Sequence, residues 1–487
     1  MFLESIKRST LTALTGALLV IAVALPAKSA NIRLPSLGDS TSGIISQQQE
    51  HELGRAWLMA YRSRINEHHD PLLKDYLEQL LYKLVSHSQL EDRRLELITI
   101  NNPSMNAFAV PGGVIGIHTG LFRYAKSEHQ LSSVLAHEIA HLSQRHFARR
   151  VEAQRKNTAA TLAGMLASLV LAATVGGDAG LAGLTASQAA GQQRALTYSR
   201  QNEQEADRLG LRTMMAAGMD PRAMSAMFEE MLRITRYTGS KPPEFLLTHP
   251  LTENRVADAK NRINQLPPRQ YLDNLEFHLM RVRALIAIDD NASVSLNRFQ
   301  HELQGKTLNS QAARYGIVLS YIALGNYAKA KESLKVLLKK SPNNLTYQMA
   351  DIDLDRAQKK YEHAINKAKK LLVYRTDSYP LRISLAESYL KASRYIESEQ
   401  VLDTLALSHP NSPEVWFQLA EVRGLAGNIS GVHQARAKYF ILNGVFDQAR
   451  DQLGYARKLL INDFKQVAII DQQLRDLAKL EEKLKSF

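Results

Sequence analysis

The residues His137-Glu138-Ile139-Ala140-His141 spell an H-E-x-x-H motif. Residues four apart lie on the same face of an α-helix, so His137 and His141 can both reach one metal ion at about 2.0–2.1 Å. Glu138 then lies beside the metal, where its carboxylate can take a proton from the attacking water and return it to a leaving amine. The motif therefore predicts a helix that carries the zinc site of a peptidase.

The sequence around the motif favours a helix. Residues 130–150 contain neither proline nor glycine. Apolar residues recur there at helical spacing, namely Leu131, Val134, Leu135, Ile139 and Leu142. An earlier H-E-L-G segment at 51–54 has Arg55 in place of the second histidine, and we interpret it as a solvated helix without a metal.

A catalytic zinc takes three protein ligands and leaves one position open for water. The motif is not followed by the glycine and third histidine that metzincins carry, so we expect a carboxylate as the third ligand. Residues 199–210 read S-R-Q-N-E-Q-E-A-D-R-L-G, which places Glu203 and Asp207 on one helical face and turns Glu205 away from it. We expect Glu203 to bind the single zinc ion and Asp207 to accept the free N–H of a zinc-bound imidazole. The alternative is a surface helix rich in Glu and Arg.

The pair H-E-x-x-H and E-x-x-A-D resembles the HtpX-type and CAAX-prenyl-protease-type zinc metallopeptidases. Residues 106–121 are similar to the stretch that precedes the zinc helix in that family, and His249-Pro250 with Arg255 is similar to its H-P-x-x-x-x-R segment. The match covers residues 45–265. It implies a zincin-type α+β domain of helices with a small β-sheet. We expect residues 106–117 to be extended and to align a substrate peptide by main-chain pairing.

His249 has three possible roles in this framework. It can donate to the oxyanion that forms at the scissile carbonyl, with Arg255 assisting nearby. It can instead occupy the fourth metal position and keep the enzyme latent until its loop moves. The third interpretation is an ordinary loop residue.

The first 30 residues have the three parts of a secretory signal. Lys7 and Arg8 precede an uncharged stretch from Leu11 to Leu25, and small residues follow near Ala30. Residues 1–30 therefore predict a cleaved signal peptide and a periplasmic protein in a Gram-negative source, with an uncleaved anchor as the alternative. The chain has no cysteine, which excludes disulfides, thiolate metal ligands and cysteine nucleophiles.

A repeat of 34 residues occupies the C-terminal half. Tyr327, Tyr361, Tyr395 and Ile429 are evenly spaced, and Ala330, Ala364, Ser398 and Val432 repeat three positions later. This period and these residue types are typical of tetratricopeptide repeats. Residues 269–487 therefore predict an all-α solenoid of about four repeats with flanking helices, and its concave face is expected to bind proteins.

Pro267-Pro268 separates the two parts, so we expect a metallopeptidase domain at 31–268 and the solenoid at 269–487. The net charge is +13, and residues 311–375 are rich in Lys and Arg. Contact with an anionic membrane surface or with acidic partners is one interpretation, and solvated solenoid helices are the other. Nothing around these charges indicates a nucleic-acid-binding module.

Residues 157–177 contain no charged side chain. Related HtpX-type enzymes carry membrane spans between the two zinc motifs, but this stretch is diluted by polar residues and glycine. We favour a mobile lid over the metal cleft, with a membrane span or a simple core helix as alternatives.

Together these patterns predict a mainly α-helical, secreted zinc endopeptidase joined to a protein-binding array. The resemblance to periplasmic proteases with such repeats implies that the substrates are unfolded or stalled outer-membrane β-barrel proteins. It also implies that the solenoid binds the machinery that assembles these proteins. A chaperone or assembly scaffold with a silent zinc site is the competing hypothesis. Glu138 distinguishes them, because a scaffold does not need it.

Overall fold

The computed structural model describes residues 45–65, 67–153, 200–238, 243–305 and 307–485. Within these residues the protein is mainly helical, with one three-stranded sheet, as the sequence predicts. None of the described helices combines the length and the apolar character that crossing a bilayer requires. The predicted signal peptide and the uncharged segment 157–177 lie outside the described residues.

The N-terminal region, residues 45–264, holds the sheet and nine of the described helices. These elements are α1 (Gln47–Arg62), α2 (Pro71–Val85), β1 (Glu96–Ile100), β2 (Ala107–Val110), β3 (Val114–His118), α3 (Leu121–Tyr124), α4 (Glu128–Ser143), α5 (His146–Ala153), α6 (Arg200–Ala216), α7 (Arg222–Thr238), α8 (Glu244–Thr248) and α9 (Glu253–Asn264). The strand order is β1-β3-β2, with β3 parallel to β1 and antiparallel to β2. The sequence predicts one extended segment at 106–117, but the structure folds it into two antiparallel strands joined by a turn at 111–113. Of these two strands, β2 lies at an edge of the sheet and β3 lies between its neighbours.

Helix α4, which carries the H-E-x-x-H motif, is the central helix of this region. All its residues from Gln130 to His141 are buried, and it packs against α2, α6, α7 and β2. Gly210 lets α6 approach it closely, because a Cβ there would lie 3.2 Å from the carbonyl carbon of Ala136 and from the amide nitrogen of His137. This close approach brings the residues of α6 beside the motif.

The helix predicted across residues 130–150 is interrupted. Helix α4 ends at Ser143, and α5 begins at His146. Between them Arg145 has a φ of 49°, in the left-handed region that non-glycine residues rarely adopt. Its guanidinium binds Glu50 at 3.0 Å through Nε and also donates to the Ile45 carbonyl, and these contacts stabilise the turn.

The H-E-L-G segment lies in α1 and is helical, but the prediction that it is a solvated helix is wrong for one of its faces. Leu53 is buried, and a Cβ on Gly54 would lie 2.2 Å from the carbonyl oxygen of Pro111. Arg55 reaches the sheet and binds Glu96. The segment therefore packs α1 onto the β2–β3 turn.

The solenoid consists of paired helices from residue 275 onward. They are α10 (Leu275–Ile288), α11 (Ala292–Gln304), α12 (Ser310–Ala323), α13 (Tyr327–Lys340), α14 (Leu345–Ala357), α15 (Tyr361–Tyr374), α16 (Tyr379–Lys391), α17 (Tyr395–Ser408), α18 (Pro413–Leu425), α19 (Ile429–Leu442), α20 (Phe446–Leu459) and α21 (Phe464–Lys485). The four predicted repeat positions beginning with Tyr327 are the first residues of α13, α15, α17 and α19. The small residue three positions later is buried in each case. The repeat prediction is confirmed.

The two parts share one hydrophobic core. Phe122 of α3 stacks on Phe277 of α10 with ring centroids 6.0 Å apart, and both side chains are fully buried. Helix α2 also packs against α10 and α16, and Lys483 of α21 binds Glu52 of α1 at 2.6 Å. Helix α9 ends at Asn264 and α10 begins at Leu275, on either side of Pro267-Pro268. The domain boundary itself stays a prediction.

Candidate metal centre

Four side chains converge at the middle of the N-terminal region. His137 and His141 come from α4, Glu203 from the first turn of α6, and His249 from the residue that follows α8. One ligand atom from each lies within 4.8 Å of the others. All four residues are at most 4% exposed. The structure thus brings together every residue that the sequence predicts as a metal ligand.

The distances within the cluster are short. His137 Nε2 lies 3.0 Å from His141 Nε2 and 3.3 Å from His249 Nδ1. The Glu203 carboxylate lies 3.4 Å from His137 Nε2, 3.5 Å from His141 Nε2 and 3.2 Å from His249 Nδ1. Three imidazole nitrogens and a carboxylate therefore face one small volume.

The outer nitrogen of His137 indicates which tautomer it adopts. His137 Nδ1 lies 3.0 Å from Asp207 Oδ1, so the Nδ1–H donates to the carboxylate and Nε2 presents a lone pair to the cluster. Lone pairs at close range repel one another unless a cation lies between them. This donor set, two histidines and a glutamate with a further histidine, suits a bound metal cation.

The electrostatics of the cluster favour positive charge. Burial lowers the pKa of His137, but hydrogen bonds to Asp207 and Glu203 outweigh it and raise this pKa to about 9. At neutral pH this ring therefore holds a second proton on Nε2, which a bound metal ion would replace. Burial opposes ionisation of Glu203, yet its histidine neighbours, led by His249, hold the pKa of Glu203 well below its usual value. For His141, burial and the nearby His137 hold the pKa well below its usual value, so the ring is neutral as a metal ligand must be.

Arg255 lies behind the carboxylates, with its side chain 3% exposed. Its Nε and Nη2 donate to the two oxygens of Asp207 at 2.7 and 2.8 Å, and its Nη1 lies 2.9 Å from Glu203 Oε2. One interpretation of the sequence placed Arg255 beside an oxyanion. In the structure its guanidinium instead binds Asp207 and Glu203.

Glu138 is also buried beside the cluster, at 1% exposure. Burial raises the pKa of its carboxyl group, while His249 and His137 oppose this shift. Neither carboxylate oxygen has a hydrogen bond of good geometry within the described residues, although the Ala109 amide of β2 is near enough to favour the charged form. A carboxylate that is buried, poorly bonded and adjacent to the ligands is suited to exchange protons.

His249 is held in the cluster by its neighbours. Its ring stacks on Phe245 with centroids 4.7 Å apart, and its Nε2 lies 3.5 Å from Glu138 Oε1. Two hydrogen bonds hold helix α8 against the residues that precede β2. The Phe245 amide donates to the Met105 carbonyl, and Asn106 Nδ2 donates to the Glu244 carboxylate. The residue that follows this helix therefore lies among the proposed ligands.

A buried histidine beside the cluster, His146, was not predicted from the sequence. His146 is fully buried, and its Nδ1 lies 2.8 Å from Nδ1 of His141. Glu205, which is turned away from the metal as predicted, lies 3.2 Å from the other nitrogen of His146. The only signal in the sequence was a third histidine five residues after the motif.

Comparisons with known proteins agree with this geometry. The model of "Peptidase family M48" matches residues 71–263, and a tetratricopeptide repeat model matches residues 355–420. The beta-barrel assembly-enhancing protease of Escherichia coli (strain K12) is 34% identical over 485 residues, which cover 99% of each chain. The corresponding protein of Yersinia pestis is 32% identical over 456 residues, 93% of each chain. The mitochondrial metalloendopeptidase OMA1 of Schizosaccharomyces pombe is 31% identical over 203 residues, which cover 40% of this chain and 57% of that protein.

These matches define the class of the protein as a metal-dependent endopeptidase that carries tetratricopeptide repeats. Within that class, the chain belongs to the beta-barrel assembly-enhancing protease family of M48 peptidases.

Proposed function

We propose that this protein is a periplasmic zinc endopeptidase that acts in the quality control and assembly of outer-membrane β-barrel proteins. The observation that carries the proposal is the convergence of His137, His141 and Glu203 on one buried volume with Glu138 beside them. Zinc fits this donor set, and when bound it polarises the scissile carbonyl and makes water more acidic.

Three other side chains have separate roles in the proposed reaction. Glu138 takes the proton of the attacking water and later delivers it to the leaving amine. Asp207 holds the Nδ1–H of His137 at 3.0 Å and so keeps its Nε2 available as a ligand. Arg255 in turn fixes both oxygens of Asp207.

His249 serves as a latency ligand in this proposal. Its Nδ1 lies 3.2 Å from Glu203 and 3.3 Å from His137, so it occupies the position that water and substrate would need. The side chain is only 1% exposed. Movement of α8 would open the position.

The substrate is proposed to pair with β2. This strand lies at one side of the sheet, and its Ala109 amide faces the Glu138 carboxylate. A peptide added along β2 would bring its main chain past the general base. Clients with exposed strands, such as stalled outer-membrane proteins, suit this mode of recognition.

The solenoid is proposed to bind the outer-membrane barrel assembly machinery. The relatives that match over 99% of this chain are named for β-barrel assembly. The cationic surface of α13 and α15 can contact an anionic membrane surface. Nucleic acid is not expected as a partner.

A scaffold with a latent metal site is the second candidate function. The observation that favours it is the burial of all four cluster residues, with His249 inside the metal volume. The protein would then capture clients through the solenoid and cleave rarely.

The test compares purified mature wild type with Glu138→Gln for zinc content, cleavage of an unfolded protein and client capture. One zinc in both, with cleavage by wild type alone, supports the peptidase. Full biological activity of Glu138→Gln supports the scaffold. Absence of zinc from wild type overturns both proposals for the metal site.

A further inference from the structure

We infer that His146, supported by Glu205, is a positioning residue that fixes His141 in the tautomer required for metal binding. The inference rests on the proposed metal ligation and concerns how one ligand is held. His146 Nδ1 lies 2.8 Å from His141 Nδ1, and His146 Nε2 lies 3.2 Å from Glu205 Oε2. Arg149 lies 3.0 Å from the same Glu205 oxygen.

The hydrogens along this chain can be assigned in one consistent way. His141 turns its Nε2 toward the cluster, so a neutral His141 that binds metal carries its hydrogen on Nδ1. That N–H needs an acceptor, and the Nδ1 lone pair of His146 is in place. His146 then carries its hydrogen on Nε2 and donates it to the Glu205 carboxylate.

The backbone is shaped to make this contact. In a continuous helix, a residue five positions after His141 would lie about 140° around the axis from it. The left-handed Arg145, with its φ of 49°, ends α4 and starts α5 so that the two rings meet. A non-glycine residue rarely adopts this conformation, and the contacts of the Arg145 guanidinium with Glu50 and the Ile45 carbonyl stabilise it.

The two histidines of the motif are thus oriented by different groups. His137 donates directly to a carboxylate, Asp207, which Arg255 neutralises. His141 donates to the neutral imidazole of His146. The carboxylate of Glu205, paired with Arg149, contacts the other side of that imidazole. Outer contacts of this kind typically change metal affinity by about 10–100-fold.

Two substitutions at the same position separate positioning from packing. His146→Leu fills similar space but removes the acceptor for His141. His146→Asn places an amide oxygen near the position of the imidazole Nδ1 and so keeps an acceptor. We expect His146→Leu to weaken zinc binding by at least about tenfold and His146→Asn to restore most of the affinity.

Glu205→Gln gives an independent measurement on a side chain that is 37% exposed. We expect it to weaken zinc binding in the wild-type background and to have no further effect in His146→Leu, because the contact is then broken. Glu78→Gln is the matched control, since Glu78 on α2 is also 37% exposed and pairs with a basic residue. It should leave the zinc affinity unchanged.

The measurement is the dissociation constant of zinc, from competition with a chromogenic chelator, together with the Tm of each metal-free protein. Equal zinc affinity for wild type and His146→Leu would overturn the inference, as would equal losses in His146→Leu and His146→Asn. A wild type that binds no zinc would instead contradict the proposed metal site itself.

Discussion

Asp70 of the N-terminal region and Arg283 of the solenoid form an ion pair across 213 residues of sequence. Arg283 Nε lies 2.9 and 2.7 Å from the two oxygens of Asp70. The same carboxylate caps α2 by accepting the amides of Leu72 and Leu73, and Arg283 also donates to the Tyr315 hydroxyl. One aspartate therefore begins a helix in the N-terminal region and binds the solenoid to it.

Replacing Asp70 by Asn should separate these two roles. Asn is as good an N-cap as Asp, so α2 keeps its cap while the ion pair loses its charge. The side chains of Asp70 and Arg283 are only 10% and 17% exposed, so we expect a loss of about 1.5–3 kcal/mol in the free energy of unfolding. Urea unfolding at pH 7 measures it. Asp75→Asn on the same helix, where the carboxylate accepts from Gln79, is the control and should change little.

The contribution of this pair should also depend on pH. Burial alone would raise the pKa of Asp70, but Arg283 and the Leu73 amide outweigh burial and lower it. A group whose pKa is lower in the folded state contributes stability above its unfolded pKa of about 3.9 and loses it as the pH falls through the folded value. The stability difference between wild type and Asp70→Asn should therefore be full at pH 7 and shrink below about pH 4. A difference that stays constant down to pH 3 would contradict this assignment.

The parts of the site that follow from local periodicity could be predicted from the sequence. Spacing by four places His137 with His141 and Glu203 with Asp207. The helical repeats of the solenoid followed in the same way from a fixed period.

The contacts that depend on backbone irregularity or on distant pairing could not be predicted. The approach of His146 to His141 requires a left-handed Arg145, and no residue type near it signals that conformation. The position of Arg255 behind Asp207 depends on how α9 packs on α6, which the H-P-x-x-x-x-R segment does not specify. Asp70 and Arg283 meet only in the folded chain.

Gly210→Ala should disturb the metal site more than the fold. The added Cβ lies 3.2 Å from the backbone of Ala136 and His137, so α6 must move by a few tenths of an ångström and carry Glu203 with it. The strain of about 1–3 kcal/mol is partly offset by the gain of about 0.5–1 kcal/mol that alanine brings to a helix. We expect a small loss of Tm and a loss of zinc affinity of several-fold.

The control for this substitution is Gly454→Ala in α20, where a Cβ would meet nothing within 4 Å. It should raise the stability by about 0.4–1 kcal/mol and leave the zinc affinity unchanged. Calorimetry and chelator competition on the two variants measure both quantities. Unchanged zinc binding in Gly210→Ala would show that the helix contact does not control the ligand geometry.

His249→Ala tests the latency role. Removing the imidazole takes away the group 3.2 Å from Glu203 and 3.3 Å from His137, and so opens a position for water. If the His249 imidazole stabilises the closed state by about 1.4 kcal/mol, its removal should raise basal cleavage of an unfolded protein about tenfold. The zinc content should stay at one ion, because the other three ligands remain. Initial rates of cleavage with a fluorescent unfolded substrate provide the measurement.

The control is the double variant Glu138→Gln with His249→Ala, which should bind zinc and cleave nothing, because the general base is absent. Loss of turnover with zinc retained in the single variant would contradict latency and assign His249 to the oxyanion instead. Unchanged turnover with zinc retained would contradict both roles, and the stacking on Phe245 would then be a packing contact only.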